Sequence, residues 1–345
     1  MKDVRQKLTL GIETSCDETS AAVLRGTREL LSCVIATQIP IHQKYGGVVP
    51  EIASRCHIVQ ILPVVEEALQ TAGVTKTEIG QVAVTYGPGL VGALLVGVAA
   101  AKGLAFSLGV PLIGVNHLEG HIFANFLSSP KLEPPFMALV ASGGHTALVH
   151  VKGYNHFKLM GQTRDDAAGE AFDKVARVLG LPYPGGPEID RLAAQGNPEA
   201  IDFPRALEEN GNYEFSFSGL KSAVLNYLNS MKLKKLEIDK ADVAASFQSA
   251  VVETLVQKSL AAMQETGLKT LVLAGGVAAN SSLEGRLREA AQKNGIEFHY
   301  PGLRLCTDNA AMIGCRAYYQ ALAGGFADSH LNAVPGLSLR DVGGA

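Results

Sequence analysis

The sequence predicts an α/β protein of two lobes, and three observations carry that prediction. Its 345 residues suffice for two compact lobes with separate cores. Short apolar strand-like runs alternate with helix-period segments, the pattern of α/β architecture. One design also occurs twice, near residue 15 and near residue 143: an apolar strand, a polar turn and a second apolar strand. With 47% hydrophobic and 18% charged residues, the composition is globular and carries no signature of disorder.

The elements follow in order. LTLGIETS (8–15) and SAAVL (20–24) read as strands around the turn Cys16-Asp17-Glu18. Pro50 to Thr71 has helical spacing, with Ile58, Ile61, Leu62, Val65 and Leu69 on one face. QVAVTYGPG (81–89) is a strand that breaks at Gly-Pro-Gly and leads into a small-residue helix from Leu90 to Leu108. The most apolar stretch, Leu90 to Val110, contains Lys102 and four glycines, which favours a buried helix over a membrane span. PLIGVN (111–116) is a strand that delivers the chain to His117. A joint at Pro130, Pro134 and Pro135 precedes FMALVASGGHTALVHV (136–151), the second hairpin. DDAAGEAFDKVARVLG (165–180) reads as a helix opened by a capping aspartate, with most of its charges solvated. PYPGGPEID (182–190) reads as a rigid loop, and the basic NSMKLKKLE (229–237) as an exposed one. TLVLAGGVAANSSLEGRLREA (270–290) is a strand, a Gly-Gly turn and an amphipathic helix. RLCTDNAAMIGCRAYY (304–319) places Asp308 at a helix start, where an N-cap is its ordinary role.

Several segments invite chemistry. In NHLEGH (116–121), His117 and His121 stand four residues apart, so a helix stacks both imidazoles on one face. Two imidazoles are half of a tetrahedral metal site, and Asp308 is a carboxylate that could complete a set with open positions. Iron, zinc or manganese bridging an oxyanion suits such a set. The turn GIETSCDETS offers backbone amides and the hydroxyls of Thr14, Ser15 and Thr19 as an anion cradle. In SGGHT, the Gly143 and Gly144 amides can approach a phosphate because no Cβ intervenes. AGGVAAN ends a strand at a helix start, where amides and dipole favour phosphate or a nucleoside. None of these three turns matches GxxxxGK[ST] or GxGxxG. A net charge of −3 gives no whole-molecule basic field, so a polyanionic partner needs a local patch or a second subunit. Five cysteines without CxxC spacing, and an N-terminus without an apolar signal core, lead us to expect a reduced, cytoplasmic protein with no membrane partner.

Taken together, GIETSCDETSAAV, KYGGVVPEIASRCH (44–57), NHLEGH, SGGHT, DDAAGEAFDK, YPGGP, AGGVAAN and CTDNAAMI resemble the bacterial branch of the TsaD family. Its members are tRNA N6-adenosine threonylcarbamoyltransferases, once described as O-sialoglycoprotein endopeptidases. The resemblance runs from about Leu8 to Tyr319. It implies an actin/Hsp70-like (ASKHA) two-lobe fold with a nucleotide-binding cleft between the lobes. Residues 1–133 would form the N-terminal lobe, completed by about 305–345, and 134–304 the C-terminal lobe. It implies transfer of threonylcarbamoyl from threonylcarbamoyl-AMP to N6 of adenosine 37 in tRNAs reading codons that begin with A.

By motif position, His117, His121 and Asp308 would hold one divalent ion per subunit, iron or zinc. Val140, Ala141, Ser142, Gly143 and Gly144 match the family's substrate loop, with alanine at 141 where many relatives carry valine. Asp173, Gly186, Asp190 and Asn280 fall on its remaining substrate positions. Glu13 is a candidate general base or amine-orienting group, with a hydrogen-bonded turn residue as the plainer reading. Implied partners are tRNA, an inactive TsaB-like paralogue and a small TsaE-like P-loop ATPase.

Two other functions compete. A metalloprotease would place a glutamate directly after the first histidine; Leu118 stands there, and Glu119 projects from another helix face. A non-catalytic actin/Hsp70-like nucleotide switch would share the fold, but such ATPases usually hold Mg²⁺ through phosphates and water, with few direct histidine ligands.

Overall fold

The computed structural model describes residues 7–205 and 212–339. The first and last six residues of the predicted N-terminal lobe therefore lie outside the described residues. The chain divides into two compact units. The first runs to Pro134, takes in Lys152–Phe157 and resumes at Pro301; the second comprises Pro135–Val151 and Lys158–Tyr300.

The first unit contains strands β1 (Leu8–Glu13), β2 (Glu18–Arg25) and β3 (Glu29–Thr37), then helices α1 (Ile39–His42) and α2 (Pro50–Ala72). There follow β4 (Ile79–Gly87), α3 (Val91–Leu108), β5 (Leu112–Asn116) and α4 (His117–Ser128). Its sheet has the order β3-β2-β1-β4-β5. β1 pairs antiparallel with β2 and parallel with β4. β1 and β4 are buried almost throughout because helices cover both faces. On one face, Leu10, Ile12, Val82 and Val84 pack with Ile61, Val65, Leu69 and Val98 of α2 and α3. On the other, Ala83, Ile113 and Val115 meet Ala124 of α4 and Met312, Ile313 and Ala317.

The second unit holds β6 (Phe136–Ala141), β7 (Thr146–Gly153), β8 (His156–Gln162), α5 (Ala168–Val178), α6 (Gly185–Ala193), α7 (Ser218–Leu233), α8 (Lys240–Thr266), β9 (Thr270–Ala274), α9 (Ser281–Lys293) and β10 (Glu297–His299). The chain returns to the first unit with α10 (Leu303–Cys306) and α11 (Ala310–Leu322). The second sheet reads β10-β9-β6-β7-β8. In both units the first strand is central, with the second and third on one side and the fourth and fifth on the other. The twice-used hairpin is thus the visible part of a repeated topology.

Five local expectations change. On α2, Ile58 and Leu62 point outward (64% and 59% exposed), and His57 takes the buried side beside Ile61 and Val64. The stretch 185–190 is not loop but the first turns of α6, and 229–233 is the last turn of α7. Asp165 does not cap α5; its carboxylate accepts from the backbone of Phe217 and Ser218 and the hydroxyls of Ser216 and Ser218, and so caps α7 from outside. Asp308 is likewise not a cap: Asn309 caps α11 by accepting from the Met312 amide at 3.0 Å. Helix α3 has the length and hydropathy of a membrane span, yet it packs on β4 and α2, and Lys102 donates to the Leu331 carbonyl.

Candidate metal centre and substrate loops

In the first unit, the chain leaves β5 at Asn116, whose side chain accepts from the Leu118 amide at 2.9 Å and starts α4. His117 is thereby the first helical residue, and His121 lies one turn on. α11 approaches β1 and α4 closely. A Cβ on Gly11 would lie 2.4 Å from the Ala310 carbonyl, and one on Gly120 would lie 2.7 Å from Ile313. Glycine at these two positions lets the start of α11, and Asp308 before it, reach the start of α4.

His117, His121 and Asp308 then present one ligand atom each, all within 4.8 Å of one another. Asp308 Oδ1 is 3.4 Å from His117 Nε2 and 3.1 Å from His121 Nε2. The contact to His121 lacks hydrogen-bond alignment, and both buried ring nitrogens of His121 are without a hydrogen-bond partner. Unsatisfied nitrogens are costly in a core unless they ligate, so the residues fit a cation.

His117 is held from behind. Its Nδ1 lies 3.2 Å from Glu13 Oε2 and 3.1 Å from Ser15 Oγ. Glu13 is fully buried and also accepts from Thr85 Oγ1 and the Ser15 amide, both at 2.5 Å. A carboxylate behind an imidazole fixes the ring and its tautomer, the usual support of a metal-bound histidine. Burial alone would raise the Asp308 carboxyl, but the His117 and His121 imidazoles outweigh it and hold Asp308 well below the usual carboxylate range. For His117, burial pulls the imidazole down, while Asp308 and Glu13 together push it well above its ordinary value. The Asp308 and Glu13 carboxylates thus favour positive charge at His117, while burial lowers the His121 imidazole below its ordinary value and keeps that ring neutral, the form that ligates a metal.

Of the hydroxyls in the first turn, Thr14 donates to the Ala93 carbonyl, Thr19 meets His57 and Ser15 meets His117. Protein groups engage all three hydroxyls of the anion cradle read from sequence. Glu119, the one glutamate between the two histidines, is buried and ion-paired with Arg316. Arg316 is itself stacked on Phe123 and held by Asn155 at 2.7 Å.

The other candidates lie in the second unit, at the carboxyl ends of β6 and β9 and on the helices beside them. Val140 and Ala141 end β6 and are buried. Ser142 is buried, and its carbonyl accepts from the Gly169 amide of α5 at 3.1 Å. Gly143 and Gly144 are exposed, with open space where a Cβ would stand. Asp173 of α5 accepts from the Gly185 amide at 2.7 Å, fixing the start of α6 beside Gly186. One α6 turn on, Asp190 accepts from the Ser281 amide (3.1 Å) and hydroxyl (3.0 Å). Asn280 caps α9 through Leu283 and donates to Gln248 Oε1 at 2.7 Å. Asp190 and Ser281 border a cavity of about 640 Å³ that reaches Gln248, Arg205, Glu253 and Arg286.

Sequence reasoning missed Thr85 and Gln248. Their contacts join residues 72 and 32 positions apart, and neither belongs to a recognisable motif.

The TsaD family model, described as tRNA N6-adenosine threonylcarbamoyltransferase, matches residues 29–315. A tRNA N6-adenosine threonylcarbamoyltransferase of Desulfitobacterium hafniense is 61% identical over 330 residues, 96% of this chain and 97% of the relative. The chain belongs to the TsaD family. A second TsaD relative, from Clostridium perfringens, is 59% identical over 336 residues, 97% of this chain and 99% of its own length. TsaD proteins are transferases, and this chain is an enzyme of that class.

Solved structures share the fold. Full-length HypF aligns with a TM-score of 0.62 at 17% identity, over 94% of this chain and 47% of HypF. Component A of the Acidaminococcus fermentans (R)-2-hydroxyglutaryl-CoA dehydratase aligns at 0.55 and 18% identity, over 92% of this chain and 99% of that one. The TsaD chain thus has the actin/Hsp70-like fold of two α/β units. Neither TsaD membership nor the engaged Glu119 favours a protease.

Proposed function

We propose that this chain makes N6-threonylcarbamoyladenosine at position 37 of tRNAs that read codons beginning with A, using threonylcarbamoyl-AMP as donor. The observation that carries the proposal is the convergence of His117, His121 and Asp308 on one point in a chain 61% identical to a named threonylcarbamoyltransferase. In the reaction, the adenosine N6 amine attacks the carbamoyl carbonyl carbon, the carbon–oxygen bond to phosphate breaks, and AMP leaves with the electron pair while N6 loses a proton. Because the donor is already activated, the enzyme's work is to position it and to stabilise developing negative charge.

His117 Nε2, His121 Nε2 and Asp308 would hold one divalent ion, iron or zinc. Bound there, it supplies Lewis acidity toward an oxygen of the acyl-adenylate. Glu13 and Ser15 keep the His117 ring aimed. With its carboxylate enclosed by Thr85, Ser15 and His117, Glu13 acts in this reading as an orienting group and not as a base. The exposed amides of Gly143 and Gly144, at the end of Val140-Ala141-Ser142, bind the donor's anionic part. Asp173, Gly186, Asp190 and Asn280 hold its nucleoside, Asp173 by fixing the start of α6.

tRNA is the acceptor, and the cytoplasm is the compartment of the proposal. It also includes an inactive TsaB-like paralogue and a small TsaE-like ATPase. Support for the first is an exposed apolar face on adjacent helices: Ile58, Val59 and Leu62 of α2 with Val91 and Leu95 of α3. The ATPase rests on the family resemblance alone. Incubating the chain and both partners with threonylcarbamoyl-AMP and unmodified tRNA, then digesting the tRNA to nucleosides for mass spectrometry, tests the proposal. The modified adenosine is the expected product, and its absence would refute the assignment.

A further inference from the structure

Three buried side chains of the first unit, Gln38, His42 and His57, form one continuous hydrogen-bonded line, none of them more than 2% exposed. Its two backbone ends fix every proton along it. The Val49 amide can only donate, and it meets His42 Nδ1 at 3.3 Å. Nδ1 therefore accepts, and the ring proton sits on Nε2, 3.2 Å from Gln38 Oε1. At the other end the Cys16 carbonyl can only accept, and it lies 2.9 Å from His57 Nε2. That nitrogen carries the proton, so His57 Nδ1 accepts, chiefly from the Thr19 hydroxyl at 2.7 Å and more weakly from Gln38 Nε2 at 3.4 Å, whose amide group also donates to the Ala53 carbonyl at 3.4 Å.

Every donor in the line points from Val49 toward Cys16, an arrangement in which each bond polarises the next. Burial lowers the His57 imidazole below its ordinary value, in keeping with a neutral ring. The two ends are unlike. Cys16 lies in the β1–β2 turn beside Ser15, whose hydroxyl meets His117 Nδ1. Val49 closes the 43–49 turn, which carries exposed Lys44 and Tyr45 and a left-handed Gly46 (φ 69°).

We propose that His42, Gln38 and His57 are positioning residues: together they tie the β1–β2 turn, and through Ser15 the ring of His117, to the 43–49 turn. The role rests on the reading of His117 as a metal ligand. A network that only filled the core would support the fold without setting the properties of a site beyond its end.

Two variants separate these possibilities. Gln38→Glu keeps the shape but sets a carboxylate oxygen against the accepting Nδ1 of His57. His42→Phe removes both links at the far end. His57→Gln is the conservative control, because its amide keeps a donor for Cys16 and an acceptor for Thr19. Zn²⁺ affinity is measured on metal-stripped full chain against a chromophoric chelator, where circular dichroism shows each protein folded. Iodoacetamide labelling of Cys16, read by peptide mass spectrometry on the same samples, reports the turn itself. Gln38→Glu and His42→Phe are expected to weaken Zn²⁺ binding about tenfold, the scale of losing support behind a ligand, and to label several-fold faster, with His57→Gln near wild type. Folded variants with wild-type affinity and labelling would overturn the relay. Should the wild type bind no Zn²⁺, the metal reading falls, and labelling alone decides: faster rates uphold the relay and equal rates overturn it.

Discussion

Glu13 makes three contacts with one buried carboxylate: the Thr85 hydroxyl, the Ser15 amide and His117 Nδ1. Replacing it by glutamine keeps the volume and removes the charge behind the ring. Glu13→Gln is therefore expected to weaken metal binding about 10- to 100-fold while circular dichroism stays unchanged, as measured by chelator competition. A general base would behave differently, losing turnover at full metal affinity. The sequence could bring His117 and His121 onto one helix face, because that follows from a spacing of four. It offered Asp308 as the cap of α11, the ordinary role of an aspartate at a helix start, and local pattern gave no reason to pass over it for the next residue, of a type that caps as well. Asn309 takes that role, and Asp308 faces the histidines instead. Nor could local pattern pair Glu13 with His117, because that contact spans 104 residues.

At the scale of elements, α2 shows how a correct helix can carry a misplaced face. Its apolar residues cover more than half the circumference, so periodicity allowed two orientations. The buried His57, engaged with Cys16 and Thr19, marks the one adopted. Denaturant unfolding should separate neighbouring positions. Ile61→Ala removes a side chain only 5% exposed and is expected to cost about 2–5 kcal/mol, whereas Leu62→Ala, on the open face, should change stability by about 0.5 kcal/mol or less. Leu62→Asp should leave the monomer folded and abolish association with the paralogue in size-exclusion chromatography; retained association would remove the α2–α3 face from the proposal. Strands β3 and β8 escaped notice because each lies at an edge of its sheet and mixes exposed and buried positions, which blurs the alternation.

Helix α8 brings Glu253 against Arg205 and Arg286. Burial raises the Glu253 carboxyl, but hydrogen bonds and charge from Arg205, with Ser249 and Arg286, bring it below its ordinary 4.5. A folded value below the unfolded one stabilises the protein at pH above about 4.5 and ceases to do so as pH falls through the folded value. Urea midpoints measured from pH 6 to pH 3 should therefore fall less steeply for Glu253→Gln than for wild type. Parallel curves would deny the carboxylate that role.

The whole molecule repeats one sheet topology in two units, with the histidine–aspartate cluster in the first and the Gly143–Gly144 turn and Asp190 in the second. The repeat was legible from two hairpins of like design, since each sheet begins with a central strand and its antiparallel neighbour. With a net charge of −3, the chain lacks a general attraction for RNA, so tRNA binding must use a local surface, a partner, or both. The proposed function requires His117, His121 and Asp308 to hold an ion needed for threonylcarbamoyl transfer. Its most direct test is nucleoside mass spectrometry of unmodified tRNA after incubation with threonylcarbamoyl-AMP, the partner proteins and either wild type or Asp308→Ala, with bound metal quantified in both. Modified adenosine at position 37 is expected with the wild type, and loss of both metal and product with a folded Asp308→Ala. Wild-type product yield from an Asp308→Ala protein verified to be metal-free would contradict that requirement.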